Sequence, residues 1–504
     1  MIRDLNGAGH VEATADILVI GAGTVGLVLA TELAARGKHV ICMESGGREQ
    51  KGDTHPLNVT EQNGNPYAGA ELGRARCLGG TSTIWGGALI PFQASDMAKG
   101  EWPIDWTELA PYVSKVEALF GLPPGPYEDP AIRLGEDFIA RLAKWPSFGK
   151  RNVYSLVRET AEKSDGPEIW INATATQFTV NGGRLTQVTA QSPDGSSIAI
   201  AADETVIAAG AIESTRLLLL ISRQNPGALT GQGLGEGFHD HLSAVVAELE
   251  VSDRRALNQL VGFRFTPGGG MRNLRFELAP SSELRDTVAP CFAHVGFSET
   301  QGGFTALRDV FRAIQRRRLP RLPLLARLIG DLPWLTRAVW WRFIHQRLLF
   351  PDKARIELHM VIEQASVPYN CVGLSEKATD IFGQPIAKID WKVRHEDVTT
   401  MTSAINMFEK SWRASPYAQL GKLRLRSIND VANNMTMGGG IYHPGGSTKM
   451  ASSPDGGPVN RDLRVFGISN LAVCATSVLP TGGGANPTMT LLHLAMRYIN
   501  SIEP

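Results

Sequence analysis

Five cysteines in 504 residues, Cys42, Cys77, Cys291, Cys371 and Cys474, are too few, too scattered and odd in number for a disulfide framework. No two stand as CxxC, so no cysteine zinc site is indicated. Surplus charge is lacking too: Lys+Arg and Asp+Glu both number 50. A nucleic-acid binder would carry a basic excess, so no nucleic-acid partner is expected. No apolar run reaches the roughly 18 residues a membrane helix needs. The opening "MIRDLNGAGHVEATAD" has no apolar signal region, and the expected location is cytoplasmic. No repeat of fixed period is visible. What remains is a globular composition, 43% hydrophobic and 20% charged, on a chain long enough for two domains.

Glycine is abundant, and its placement carries the first signal. In "ADILVIGAGTVGLVLATELAARGKHVICMESGG", Ile17 to Ile20 reads as a buried parallel strand. Gly21, Gly23 and Gly26 follow as G-x-G-x-x-G. Leu27 to Arg36 reads as a helix capped at Gly37, and "HVICMES" as a second strand ending at Glu44. Gly21 permits the tight turn, Gly23 lets the backbone approach a pyrophosphate, and Gly26 lets helix and strand pack closely. The helix N-terminus offers free N–H donors to phosphate. Glu44, eighteen residues past Gly26, stands where an acid accepts ribose hydroxyls. These features predict dinucleotide binding and leave FAD and NAD both open.

Further segments narrow the choice. "RCLGGTSTIWGGALIPF" (Arg76 to Phe92) is a glycine-rich loop able to pass its backbone along a flat ring, with Thr81 or Ser82 as donors. Glu204 to Ser222 reads as a strand running into Ala-Ala-Gly and a helix. Upstream, two strands flank a turn at Asn181-Gly182-Gly183. Near the C-terminus, "YHPGGSTKM" (Tyr442 to Met450) precedes a strand-rich stretch, the turn "PTGGGANPT" and an amphipathic helix from Pro487.

In this order the segments resemble the glucose–methanol–choline (GMC) oxidoreductases, and within them a bacterial branch similar to pyranose oxidases. "WPIDWTELAPYVSKVEALF", "LGEGFHDHL" and "EQASVPYNCVGLSEKATDIFGQPIAKIDW" belong to the same resemblance. It implies an α/β fold with a discontinuous Rossmann-like FAD-binding domain (14–95, 165–240 and 455–504). An α+β substrate domain (96–164 and 241–454) would carry an antiparallel sheet with strands near 355–365 and 385–393. It implies FAD contacts at Gly21, Gly23, Thr24, Gly26, Glu44 and Ser45. Further contacts would come from Arg76, Gly80, Thr81, Ser82, Trp85, Gly86, Gly87 and Ala88. Ala175, Ala209, Gly210, Ser477, Asn486, Pro487 and Thr488 complete the implied set. Some relatives bind FAD covalently through a histidine in an S-T-H-W loop. Ile84 stands at that position here, so noncovalent FAD is expected.

The resemblance also implies the catalytic pair His443 and Asn486. An alcohol oxidised to a carbonyl gives a hydride to flavin N5 and a proton to a base. Histidine titrates near working pH and suits the second task. A neutral amide can donate to the developing alkoxide. His359 and Gln364, on a strand of the substrate sheet, are candidate substrate contacts. His239 and His241 flank Asp240 in "FHDHL", read as a structural turn, and no metal is expected. His493 reads as a packed helix residue. The expected substrate is a sugar or glycoside, with a sterol, aryl or terpenoid alcohol as the alternative; oxygen or another acceptor would take the electrons. A flavin lyase and a non-enzymatic carrier on the same cradle also stay open, as does a homo-oligomer. Leu307 to Phe350 holds ten arginines, two aspartates and no lysine, in helices broken at Pro320, Pro323 and Pro333. A packed lid, an oligomer contact and a membrane-surface face are all compatible with it.

Overall fold

The computed structural model describes every residue except 53, 300, 301, 316–318, 320, 321, 439, 503 and 504. Its first sheet is built on parallel strands β1 (His10–Ile20), β2 (Val40–Met43), β3 (Glu168–Ile171) and β4 (Ser197–Ile207), ordered β3-β2-β1-β4. Ile2–Asp4 extends the β3 edge and Leu471–Val473 runs parallel to the end of β4. Ile17 to Ile20 are fully buried, as a strand covered on both faces requires. β1 is longer than expected because His10 to Ala15 pairs with Ser197 to Ala202. Helix α1 (Thr24–Ala34) follows β1 and buries Leu27, Val28, Leu29 and Leu33, each contributing roughly 1.5–3 kcal/mol. Gly37 has φ +85°, a left-handed turn that suits glycine. Helix α2 (Ala211–Gln224) follows β4.

The second sheet is antiparallel. It includes β5 (His241–Val251), β6 (Met271–Leu278), β7 (Cys291–Ser298) and β8 (Arg355–Glu363), with β8 between β5 and β7. The expected strand near 355–365 is there. The expected strand near 385–393 is not: Pro385–Trp391 joins Cys371–Thr379 and Glu61–Gly64 in a separate three-stranded sheet. The chain leaves the large sheet at Gln364, whose side chain and that of Asn370 both donate to Lys392 O. Those bonds fold the next hairpin away.

Three helices, α3 (Gly303–Gln315), α4 (Leu322–Gly330) and α5 (Leu332–Trp340), connect β7 to β8. Pro323 and Pro333 occupy their second positions, where a missing N–H costs nothing; the expected break at Pro320 lies outside the described residues. The chain ends with α6 (Pro487–Ser501), buried against α1.

Candidate active site

A cradle forms where β1 gives way to α1. A Cβ on Gly26 would stand 1.8 Å from Gly21 O, so only glycine lets the helix lie against the turn. The 79–83 loop crosses just as closely, since a Cβ on Gly80 would stand 2.7 Å from Gly23 Cα. Gly23 caps α1 without a side chain, leaving the first N–H groups available to an anion. Glu44 is buried and accepts from Ala22 N (3.1 Å) and Gly46 N (2.9 Å). Burial raises its pKa, against bonds that favour the carboxylate. Ser45 Oγ donates to it as well, at 3.4 Å, and three accepted bonds do not exhaust a carboxylate's four acceptor positions, so capacity for a sugar hydroxyl remains.

Around this cradle runs a groove of about 210 Å³. Gly21, Gly23, Thr24, Glu44, Ser45, Arg76, Gly80, Thr81, Ala209, Gly210, Pro487 and Thr488 all line it. It adjoins a cavity of about 860 Å³, with which it shares Gly73, Thr81, Tyr442, His443 and Thr488. Trp85, Gly86, Gly87, Ala88, His359, His443 and Asn486 line the larger space.

The remaining expected contacts lie off these walls. Gly26 is inside α1. Ser82 donates to Gly79 O and accepts from Val153 N. Ala175 is buried in a strand, and Ser477 accepts from Thr448 Oγ1. Gln364 is fully buried: its amide donates to Lys392 O at 2.9 Å and accepts from Trp391 Nε1 at 2.8 Å. Its polar atoms are consumed at the strand end, so it does not reach the cavity. Arg76 is held at 2.7 Å by Glu213, with Ser45 and Asn58 as further partners. Burial would raise Glu213, but Arg76, Arg216 and Arg74 outweigh it and hold it at about 2.

His443 belongs to a loop fastened from below by the FHDHL turn. Asp240 accepts from His443 N (2.8 Å), His241 N (2.6 Å) and Tyr67 Oη (2.6 Å). Two further backbone bonds join Gly445 to His239. Tyr442 takes φ +66°, so the loop reverses directly before the histidine.

The ring bonds fix the tautomer of His443. His241 Nε2 lies 2.8 Å from Gly483 O, a pure acceptor, and so carries hydrogen. Burial lowers the His241 pKa to about 4, so its ring is neutral and its Nδ1 is an acceptor. His443 Nδ1, 3.2 Å away, must then donate to it. The His443 Nε2 lone pair is left facing Asn486 Nδ2 at 3.3 Å. Burial, then the facing His241 and Arg275, lower the His443 pKa well below 6.5, which keeps this lone pair unprotonated.

Asn486 occupies the N-cap of α6, yet its side chain makes no capping bond. Its Oδ1 instead accepts from Arg275 Nη2 at 2.7 Å, which turns Nδ2 towards His443. Arg275 is buried on β6, its guanidinium 4.1 Å from the Phe292 ring centroid. Its pKa falls to about 10 through burial, so it is charged at neutral pH. Its Nε and Nη1 make no hydrogen bond.

His294 pairs with His359 across β7 and β8, their rings stacked with centroids 5.0 Å apart on the cavity wall. Gly296 makes room, since a Cβ there would stand 3.2 Å from His359 Nε2.

Sequence reasoning missed Arg275 and His294 as cavity groups and took His241 for part of a turn. The available signal was "LRFEL", which places Arg275 and Glu277 two apart on a strand and hence on one face.

Residues 367–495 match the family model described as GMC oxidoreductase. A 2-methyl-1,2-propanediol dehydrogenase of Mycolicibacterium austroafricanum is 23% identical, over 96% of this chain and 94% of its own length. A C-glycoside 3-oxidase of Microbacterium trichothecenolyticum is 27% identical over 25% of this chain and 23% of its own. Among solved structures, a pyridoxine 4-oxidase from Mesorbium loti superposes with a TM-score of 0.62 at 15% identity, covering 96% of this chain and 98% of its own. A formate oxidase of Aspergillus oryzae RIB40 gives 0.57 at 15% identity, covering 97% and 98%. At that identity the likeness speaks for fold.

Proposed function

Because the chain belongs to the GMC oxidoreductases and is an FAD-dependent enzyme of alcohol dehydrogenase or oxidase type, we propose that it oxidises a secondary or primary alcohol of a sugar or glycoside in the 860 Å³ cavity. The glycine cradle, buried Glu44 and uncapped N-termini of α1 and α6 are the right chemistry for a dinucleotide. FAD, when bound, accepts the hydride. Ile84 on the cavity wall offers no nucleophile, which supports noncovalent binding.

The observation that carries the reading is the His443–Asn486 pair. An alcohol oxygen seated against both atoms donates its proton to His443 Nε2 and accepts from Asn486 Nδ2. As the proton leaves, negative charge grows on that oxygen, and the preorganised amide stabilises it. Arg275 fixes the amide and adds a nearby positive charge. His241 holds His443 in the tautomer with an unprotonated Nε2. A positioned base is worth roughly 10²–10⁴ in rate. A polyol fits the mixed wall, where Asn273, Arg275, His294 and His359 alternate with Phe263 and Phe297.

The test is anaerobic mixing of the yellow enzyme with sugars, glycosides and simple diols. Bleaching by a sugar or glycoside is expected. Bleaching by small diols alone would move the substrate to the class named for the Mycolicibacterium relative, and no bleaching by any alcohol would reject alcohol oxidation. His443→Ala should keep its flavin colour and lose on the order of 10³-fold in reduction rate.

A further inference from the structure

Helices α3–α5 and the helical turn that follows them, Trp341–His345, carry a face that nothing else in the described residues covers. Of 21 exposed large hydrophobic side chains among the described residues, 11 fall between Phe311 and Ile344. Helix α4, "LPLLARLIG", has no buried residue at all. Leu322 is 79% exposed, Ile329 73% and Phe343 74%. A helix this apolar on every side requires a covering partner.

Charge identifies the partner. The whole chain is neutral, yet the described residues between Leu307 and Phe350 hold six arginines against two aspartates and no lysine. Asp309 already pairs with Arg308 and Arg312, and Arg337 pairs with Asp352. A second copy docking by two-fold symmetry would set this cationic face against itself. A bilayer surface with anionic headgroups meets both needs: acyl chains cover leucine and isoleucine, and phosphates face the arginines. Trp340 (60% exposed) and Trp341 suit the headgroup depth, where an indole keeps its N–H wet. No helix among the described residues is long and apolar enough to cross a membrane, so the segment would lie on the surface. α3 also sends Phe304 and Arg312 to the cavity wall, which sets the docked face beside the candidate active site.

We propose that α3–α5, with the helical turn Trp341–His345 that follows them, form a docking surface for a phospholipid bilayer bearing anionic headgroups.

The test is flotation of flavin-loaded enzyme with phosphatidylcholine vesicles containing phosphatidylglycerol, against phosphatidylcholine alone, at low and high salt. Binding to the anionic vesicles is expected to exceed the neutral control by on the order of tenfold at low salt and to weaken as salt rises. The triple variant Leu322→Glu, Ile329→Glu, Phe343→Glu should stay with the unbound fraction while keeping its flavin and its turnover of a water-soluble alcohol. Failure of the wild type to bind anionic vesicles would overturn the proposal, as would a triple variant that floats equally well. A dimer in sedimentation equilibrium that the variant converts to monomer, without vesicle binding by the wild type, would assign the face to a second copy and overturn it too.

Discussion

His241 decides which nitrogen of His443 is free, and it does so through one carbonyl, Gly483 O, 2.8 Å from its Nε2. His241→Leu removes both bonds. The flavin should remain, kcat should fall by roughly 10²-fold, and KM should move far less, since the lost group never touches substrate. Steady-state kinetics with flavin absorbance as the loading control measures this; an unchanged kcat would show that His443 orients itself. His493 offers a cleaner acid-stability test. It is fully buried in α6, neither ring nitrogen has a hydrogen-bond partner, and burial lowers its pKa to about 3. Between pH 6.5 and 3 the unfolded chain binds a proton here that the folded chain refuses, so stability falls as pH falls through that window. At pH 5 the loss from this residue approaches about 2 kcal/mol. His493→Leu should therefore show a smaller drop in Tm than wild type between pH 7.5 and 5 (pH values chosen around the ordinary histidine pKa of about 6.5). Equal drops in both proteins would locate the acid sensitivity elsewhere. His493 was legible from sequence as a packed residue because α6 repeats with helical period. The His443–His241 bond was not legible, since 202 residues separate the two.

At the scale of elements, the turn from β1 into α1 is where sequence told most. Gly26→Val would drive a side chain into Gly21 O, 1.8 Å from the ideal Cβ. The expected result is a protein without visible flavin and with a lowered Tm; a yellow variant would mean that helix and strand can separate at no cost to the cradle. Gly80→Ala is the milder case, since its Cβ would stand 2.7 Å from Gly23 Cα and its φ of +53° is left-handed. It should weaken FAD affinity with less loss of fold, checked by flavin titration into stripped protein. The strand around 385–391 shows where element-level reading stopped. The resemblance implied a strand there within the large sheet; burial does alternate along it, but alternation does not name the neighbour. Gln364 and Asn370, bonded to Lys392 O, make that choice.

At the scale of the whole molecule, FAD bridging the groove and the cavity would tie the two large sheets together. Ligand that binds only the folded state adds stability by mass action, about 2.7 kcal/mol at a hundredfold excess over Kd. Stripped protein should rise in Tm as FAD is added. Acid denaturation of the loaded enzyme should release all flavin to the supernatant, as noncovalent binding requires; colour retained on the precipitate would refute it. By itself the sequence determined what local spacing can encode: the glycine turn and its acid, and the helix that packs on them; the histidine and asparagine near the C-terminus were expected only through the family resemblance. Turn, acid and helix follow from steric and hydrogen-bond rules acting within a few residues. Tertiary structure alone decided that Arg275 turns the Asn486 amide, that His241 sets the His443 tautomer, and that Gln364 faces away from the cavity. Those outcomes depend on which buried polar atoms meet after strands distant in sequence pair, and every such atom must then find a partner in its new surroundings.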